Sequence, residues 1–272
     1  MLAHSIVAPK SGDPSRYMFF LHGILGTRAN WRGVARRFVE ARSGWGAILL
    51  DLREHGDSLG LAGPHTLAAA ASDVAELERA LGLPVQGALG HSFGGKVVLE
   101  WLKDRAGRPT ECWVIDASPS ASGDATATAN VLQTLSELPR QWSSREAFIS
   151  AVTDAGQPPG IAHWLAMNLR RTEDGSRTFG PELGVIHALI EDYGRTDLWA
   201  VVEAPPEPAT LDLVIGGRSS AFSSADRTRL GEITAKNSRV SMHIVADAGH
   251  WVHVDAPDEL VALLTSARRP TG

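Results

Sequence analysis

The sequence has a single cysteine, Cys112, which lies in the apolar run ECWVID. One cysteine cannot form an intramolecular disulfide, so we expect this side chain to pack as a small buried hydrophobe, and a cysteine nucleophile is disfavoured. The sequence also lacks a basic N-terminal segment followed by an apolar one, and no apolar run approaches the ~20 residues of a membrane helix. These absences predict a cytoplasmic protein without a membrane span.

Blocks of basic residues are missing as well. The 26 Lys and Arg residues and the 31 Asp and Glu residues are spread along the chain and give a net charge of −5, which predicts no nucleic-acid partner. A hydrophobic content of 43 % in 272 residues suits one large α/β domain, or one domain with an insertion. None of these quantities predicts an oligomeric state.

Short apolar runs rich in β-branched residues alternate with segments of helical period, which is typical of a mostly parallel sheet with helices on both faces. The predicted strands are 17–21, 46–51, 85–89, 111–116, 210–215 and 239–245. Apolar residues recur at helical spacing over 67–81, so this range predicts a helix that ends before Gly82. Weaker patterns of the same kind predict helices at 28–42, 94–106, 223–236 and 256–268.

The segment from 119 to 207 interrupts this alternation. It has no convincing strand pattern, only helical patterns separated by QPPG and EDGS, and it is closed by the proline-rich stretch PPEP at 205–208. We therefore predict a core formed by residues 1–118 and 208–272, with a helical lid inserted at 119–207. The lid is rich in large apolar side chains, and we expect most of them in its own small core and the rest in a substrate pocket.

The strand at 85–89 runs into residues 90–95 (GHSFGG), which contain a G-x-S-x-G motif between a predicted strand and a predicted helix. In that position the motif indicates a nucleophile elbow, a strained turn that raises the hydroxyl of Ser92 above the sheet. Side chains two residues to either side would collide with such a turn, which explains Gly90 and Gly94. A glycine-rich turn without chemistry is the alternative, and the motif lacks the Walker pattern of a phosphate loop.

A second motif, H-G-x-x-G at residues 22–26, directly follows the strand predicted at 17–21. It indicates an oxyanion loop, whose backbone N–H groups stabilise the negative charge that acyl transfer builds on a carbonyl oxygen. We assign the two donors to the backbone N–H groups of Ile24 and Phe93. His22 and Gly23 belong to this motif, and we expect His22 to hold the loop by hydrogen bonds rather than to act as a base.

A serine hydroxyl needs a neighbouring base, and the loop after the last predicted strand offers His250 and His253. His250 follows a glycine at the carboxyl end of the strand, where parallel sheets place their sites, so it is the favoured base. His253 is expected to begin the final helix or to lie behind the site. In the lid, His163 is a candidate for substrate contact, whereas the histidines outside these motifs, His55 included, are expected at surface or packing positions.

Four motifs, FLHGILG, DLREHGDS, GHSFGGK and AGHWVH, make the chain similar to the α/β-hydrolases over nearly its whole length. More narrowly, it resembles the YbfF-type esterases and their mitochondrial abhydrolase relatives. The resemblance implies the α/β-hydrolase fold: a mostly parallel central sheet with helices on both faces and an inserted helical lid. In that fold the loop after the strand at 210–215 usually carries the catalytic acid, and here the expected position is Ser220. In the narrower group the acid lies at the end of the strand that follows the nucleophile helix, a position that Asp116 occupies.

Other carboxylates are alternatives to Asp116. Asp226 lies just beyond the loop at 216–222, although its S-x-x-D spacing matches a capping box, which explains this acid without catalysis. Asp51 also ends a strand, but in the usual strand order another strand separates it from the serine. Asp247 is only three residues from the favoured histidine and would need an awkward local loop. The sequence favours Asp116 and leaves Asp226 open.

The chain order Ser92, Asp116, His250 predicts a serine hydrolase that cleaves small carboxylic esters or thioesters through an acyl-enzyme intermediate, without a cofactor or a metal ion. Arg53 and Lys96 could serve an anionic substrate such as an acyl-CoA, although structural ion pairs explain them better. The same triad can serve an amidase, a C–C hydrolase, a perhydrolase or a lyase, and a receptor with little turnover can retain it. The candidate pocket residues are Leu25, His91, His163, Trp164, Phe222 and Trp251.

Overall fold

The computed structural model describes residues 1–121 and 126–266. Within them the strands are, in chain order, β1 (His4–Val7), β2 (Arg16–Leu21), β3 (Trp45–Leu50), β4 (Val85–His91), β5 (Glu111–Ile115), β6 (Gln141–Trp142), β7 (Leu169–Arg171), β8 (Arg177–Phe179), β9 (Thr210–Gly216) and β10 (Val240–Val245). Seven strands of this described part form a central sheet in the order β1-β3-β2-β4-β5-β9-β10. Because β1 alone runs antiparallel to its neighbour β3, the predicted mostly parallel sheet is confirmed.

Helices connect the strands, with short 3-10 turns at Arg28–Trp31 and Ala166–Asn168. In the described part of the chain they are α1 (Arg32–Ala41), α2 (Leu67–Leu81), α3 (Phe93–Leu102), α4 (Thr126–Glu137), α5 (Arg145–Asp154), α6 (Pro159–Leu165), α7 (Leu183–Arg195), α8 (Trp199–Glu203), α9 (Ser224–Lys236), α10 (Val252–Asp255) and α11 (Pro257–Thr265). The helix predicted at 67–81 is confirmed as α2. The Thr66 side chain caps its start, and Gly82, at φ 62°, ends it in the left-handed conformation.

The two faces of the sheet bury separate apolar clusters. Along β2, Phe19 and Leu21 join the cluster that includes residues of α2 and α3, whereas Met18 and Phe20 join the cluster that includes residues of α1 and α11. This alternation follows from the two-residue period of a strand. Helices therefore cover both faces, and the carboxyl ends of the parallel strands share one edge of the sheet, where sites form in folds of this kind.

The remaining strand and helix predictions are confirmed, with shifted ends. All six predicted strands are present in the central sheet, and the predicted helix at 256–268 corresponds to α11, although positions 267 and 268 lie outside the described residues. The sequence reasoning missed β1 and α10, each only four residues long. Elements of that length give too few positions for a periodic pattern.

The insertion between β5 and β9 contains α4 to α8, but the expectation that it has no strand is wrong. Its short strands form a small antiparallel sheet in the order β6-β8-β7. These strands have two or three residues each, which is too short for an alternating pattern to be recognised. The buried side chain of Asn168 donates from Nδ2 to the backbone carbonyl of Leu25 at 2.7 Å, so the insertion is joined to the loop after β2. Within the described ranges, no helix has the length and apolar character needed to span a membrane.

Candidate active site

Ser92 lies at the turn between β4 and α3 with φ 51° and ψ −117°, a conformation that non-glycine residues rarely adopt. Glycines on either side make the turn possible. A Cβ on Gly90 would lie 2.1 Å from the carbonyl oxygen of Gly94, and a Cβ on Gly94 would lie 2.5 Å from that of His22. Because both obstacles are backbone atoms, glycine is required at these two positions.

Asp116 follows β5, the strand that pairs with β4 in the sheet. Its side chain is fully buried, and three donors surround the carboxylate. The backbone N–H of Gly216 donates to Oδ1 at 2.9 Å, while the Ser219 hydroxyl and the His250 Nδ1, the latter at 2.7 Å, both bond to Oδ2. Since Asp116 accepts the Nδ1 proton, Nε2 of His250 is the ring nitrogen left to accept a proton from a nucleophile.

The other candidate acids have different partners. Asp226 belongs to the capping box of α9, where its carboxylate accepts the backbone N–H of Ser223, and it also accepts the hydroxyl groups of Ser118 and Ser120. Partial burial raises the pKa of Asp226, but these hydrogen bonds outweigh it and the net shift is downward. Asp51 is held in an ion pair with an arginine of the first 3-10 turn. Neither carboxylate has the hydrogen bond to His250 that Asp116 has.

Two backbone donors, one in the H-G-x-x-G loop and one just after Ser92, have no acceptor among the described residues. The Leu25 N–H donates to His55 Nε2 at 2.9 Å, which ties the middle of the loop to the protein. In contrast, the N–H groups of Ile24 and Phe93 donate to no other residue in the part of the chain that the structure describes. Both residues line the same cavity as Ser92, which is where oxyanion donors are needed.

Two buried histidines hold this loop. His22 donates from Nδ1 to the carbonyl of Gly23 at 2.7 Å and accepts the Leu52 N–H on Nε2 at 3.0 Å, which is the holding arrangement expected for it. His55 also bonds through Nδ1, to the carbonyl of Arg53 at 2.8 Å. Burial lowers the pKa of His22 to about 4 and that of His55 to about 3, so both rings are neutral at pH 7. The sequence reasoning missed this role of His55, which its place in DLREHGDS could have indicated.

Two further imidazoles pack against His250. His91 donates from Nε2 to the backbone carbonyl of His250 at 2.8 Å, and its ring centre lies 4.6 Å from that of His250 and 4.8 Å from that of His253. Burial lowers the pKa of His91 well below its usual value and that of His253 to about 4. Both neighbours are therefore uncharged at pH 7, and neither repels a cation on His250.

A cavity of about 490 Å³ lies beside Ser92. Four of the predicted pocket residues line it, namely Leu25, His91, Trp164 and Trp251. The structure does not bring His163 or Phe222 to this cavity. His163 is exposed at the surface of α6, and Phe222 is buried in the apolar core at 4 % exposure. The prediction that His163 and Phe222 line the pocket failed because a single sequence does not show the direction of these side chains.

Lys96 and Tyr193 join the insertion to α3, the helix that follows Ser92. Lys96, one turn beyond Ser92, is fully buried, and its ammonium donates to the carbonyls of Ser120, Tyr193 and Thr196 at 2.8, 2.7 and 2.8 Å. The expected ion pair is therefore wrong, because the ammonium donates its hydrogen bonds to three backbone carbonyls. Burial lowers the pKa of Lys96 to about 8. Tyr193 lines the cavity and its phenol interacts with the Ser92 side chain, while burial raises its pKa and keeps the phenol protonated.

A parallel sheet wrapped by helices, with a serine elbow after one strand and an acid–histidine pair at the same sheet edge, defines the class of α/β-hydrolases. The model of the alpha/beta hydrolase family matches residues 18–263, and the chain belongs to this family. The fold expected from the sequence motifs is thereby confirmed.

Among residues 1–121 and 126–266, no group of three His, Cys, Asp or Glu side chains converges as a set of metal ligands.

Particular relatives extend the comparison. The chain is 27 % identical over 270 residues to the sn-1-specific diacylglycerol lipase ABHD11 of Danio rerio, and the alignment covers 95 % of this chain and 80 % of the relative. It is 26 % identical over 258 residues to the esterase YbfF of Escherichia coli K12, covering 92 % and 90 %. Among solved structures, a marine microorganism esterase matches with a TM-score of 0.79 at 20 % identity, covering 96 % of this chain and 97 % of that one. The structural match supports the fold, and the two curated relatives confirm the expected resemblance to YbfF-type esterases and abhydrolases.

Proposed function

We propose that this protein is a serine hydrolase that cleaves carboxylic esters or thioesters through an acyl-enzyme intermediate. The observation that carries the proposal is the 2.7 Å contact between His250 Nδ1 and the buried carboxylate of Asp116, beside the strained elbow of Ser92. A solvated serine hydroxyl is a weak nucleophile, and a neutral imidazole with its Nδ1 proton held by a carboxylate is the group that activates it.

In the proposed reaction, His250 takes the proton of Ser92 as the hydroxyl oxygen attacks the substrate carbonyl. The oxyanion that forms is stabilised by the N–H groups of Ile24 and Phe93, which have no other described acceptor. Asp116 stabilises the cation on His250. His250 then protonates the leaving alcohol or thiol, and a water molecule activated by the same imidazole releases the acyl group.

The insertion at 119–207 would act as the lid of this site. Val131, Ile161, Trp164 and Ile190 come from three of its helices and line the cavity, so the acyl chain meets a largely apolar wall. The names of the two curated relatives, a diacylglycerol lipase and an esterase, support ester hydrolysis. Esters with an apolar acyl chain are therefore the first substrates to test.

Ser92→Ala tests the proposal, with Ser136→Ala on the exposed surface of α4 as the matched control. With a p-nitrophenyl ester series of increasing acyl length, Ser92→Ala should lose several orders of magnitude in kcat/KM, while the control keeps the parental value. A fluorophosphonate probe should label the parent and the control on Ser92, and leave Ser92→Ala unlabelled. Unchanged turnover by Ser92→Ala, or a probe adduct on another residue, would exclude the mechanism.

A further inference from the structure

The cavity wall contains one side chain with a permanent charge. Among the described residues that line it, Arg218 is the only lysine, arginine, aspartate or glutamate. The other lining groups are apolar side chains, neutral polar groups and the histidines of the site. A guanidinium in such a wall favours a ligand with a negative charge, because its planar donors match carboxylate and phosphate oxygens.

Arg218 is anchored to the loop that carries His250, and its neighbour Ser219 contacts the buried acid. Its backbone N–H donates to the carbonyl of Ala248 at 2.9 Å, and its guanidinium donates to the carbonyl of Asp247, in the loop that leads to His250. The next residue, Ser219, donates its hydroxyl to the buried acid. The position of Arg218 is therefore fixed relative to the proposed chemistry.

Arg218 differs from the arginines that serve the fold. Arg53 is paired with Asp73 at 2.7 Å, and Arg105 with Glu78 at 2.7 Å, so these guanidinium groups are neutralised inside the protein. Arg218 has no ion pair with a carboxylate in the described part of the chain. Its single side-chain hydrogen bond goes to a backbone carbonyl and leaves most of its N–H donors available.

The loop to which Arg218 is bound indicates which part of a substrate it meets. Since His250 protonates the leaving group, the leaving group departs beside the 246–250 loop. We propose that Arg218 forms a subsite for an anionic group on the leaving alcohol or thiol, and that the preferred substrates are esters or thioesters whose leaving group carries a carboxylate or a phosphate. This inference rests on the proposed hydrolase function.

Matched substrate pairs test the subsite. The carboxylate pair is 4-acetoxybenzoate and its neutral methyl ester, and the phosphate pair is acetyl-CoA and the neutral S-acetyl-N-acetylcysteamine. For each pair, the ratio of kcat/KM for the anionic over the neutral substrate is measured in the parent, Arg218→Gln and Arg218→Lys. Arg79→Gln, an exposed arginine on α2 outside the cavity wall, controls for the loss of one charge.

We expect Arg218→Gln to lower the ratio by about tenfold for at least one pair, mainly through a higher KM for the anionic substrate. Arg218→Lys should restore part of the ratio, added salt should reduce it in the parent, and Arg79→Gln should not alter it. The substrate pair whose ratio falls shows whether the subsite binds a carboxylate or a phosphate on the leaving group. Unchanged ratios in Arg218→Gln overturn the subsite, as does an equal loss on neutral and anionic substrates. If the parent hydrolyses neither member of either pair, nor any p-nitrophenyl ester, the proposed function fails instead.

Discussion

Asp116→Asn tests the assignment of the acid, and the hydrogen bonds around the carboxylate determine the expected outcome. Oδ1 accepts one bond, from the Gly216 N–H, and Oδ2 accepts two, from Ser219 and His250. If the asparagine turned its NH₂ toward Gly216, two donors would meet at a fully buried position, at a cost of about 1–3 kcal/mol. The NH₂ group therefore turns toward His250, which must then accept on Nδ1 and carry its proton on Nε2. That tautomer cannot take the proton of Ser92.

We expect Asp116→Asn to lose about 10³- to 10⁴-fold in kcat/KM, equivalent to about 4–5.5 kcal/mol of transition-state stabilisation. The assay is hydrolysis of a p-nitrophenyl ester, with thermal unfolding followed by circular dichroism to show that the variant is folded. The matched control is Asp226→Asn, which removes a carboxylate from the capping box of α9 and should cost about 1 kcal/mol of stability with turnover within about threefold. Collapse of turnover in Asp226→Asn, with activity retained by Asp116→Asn, would refute the reasoning.

Two further predictions concern the neighbours of the site. Ser219→Ala removes one of the three donors to Asp116 and should lower kcat about three- to tenfold with KM nearly unchanged. Ser219→Thr keeps the hydroxyl group and should restore kcat. Equal kcat in the parent and in both variants would contradict the prediction. In the folded protein the pKa values of His22 and His55 are about 4 and 3, below the ordinary 6.5. As the pH falls, these rings are protonated in the unfolded chain before they are protonated in the folded protein. The free energy of unfolding therefore decreases as the pH drops from about 6.5 toward 4. Urea unfolding at pH 7.5 and pH 5 should show a loss of about 2 kcal/mol for each of these rings, and a His22→Gln variant should lose less than the parent by that amount.

The fold could be predicted from the sequence because its signals are local. The six main strands are short apolar runs, and α2 has a helical period, a capping threonine and a terminating glycine. Gly90 and Gly94 are required because a Cβ at either position would collide with the backbone of the same turn or of the loop beside it. This requirement can be recognised in the pentapeptide G-x-S-x-G. The short strands of the insertion cannot be recognised in the sequence, since two or three residues give no period.

The site contacts that sequence reasoning missed depend on distant parts of the chain. Lys96 bonds to carbonyls at 120, 193 and 196, and Tyr193 approaches the serine from a helix about one hundred residues further along. Ser219 meets the acid only because β5 and β9 are neighbours in the sheet. The catalytic roles of Ser92, Asp116 and His250 remain predictions, although the structure brings the last two into direct contact.

The bonds of Lys96 attach the insertion to the rest of the fold. Its three carbonyl partners come from both ends of the inserted segment, one at residue 120 and two at residues 193 and 196, so a single ammonium fastens both ends to the helix that carries Ser92. These bonds lie at α3 and do not involve α5 or α6. The bond from Asn168 to the Leu25 carbonyl and the contact between the Trp164 and Trp251 rings, whose centres lie 5.9 Å apart, join the middle of the insertion to the core. The insertion is therefore tied to the rest of the protein near both of its ends and again at its middle.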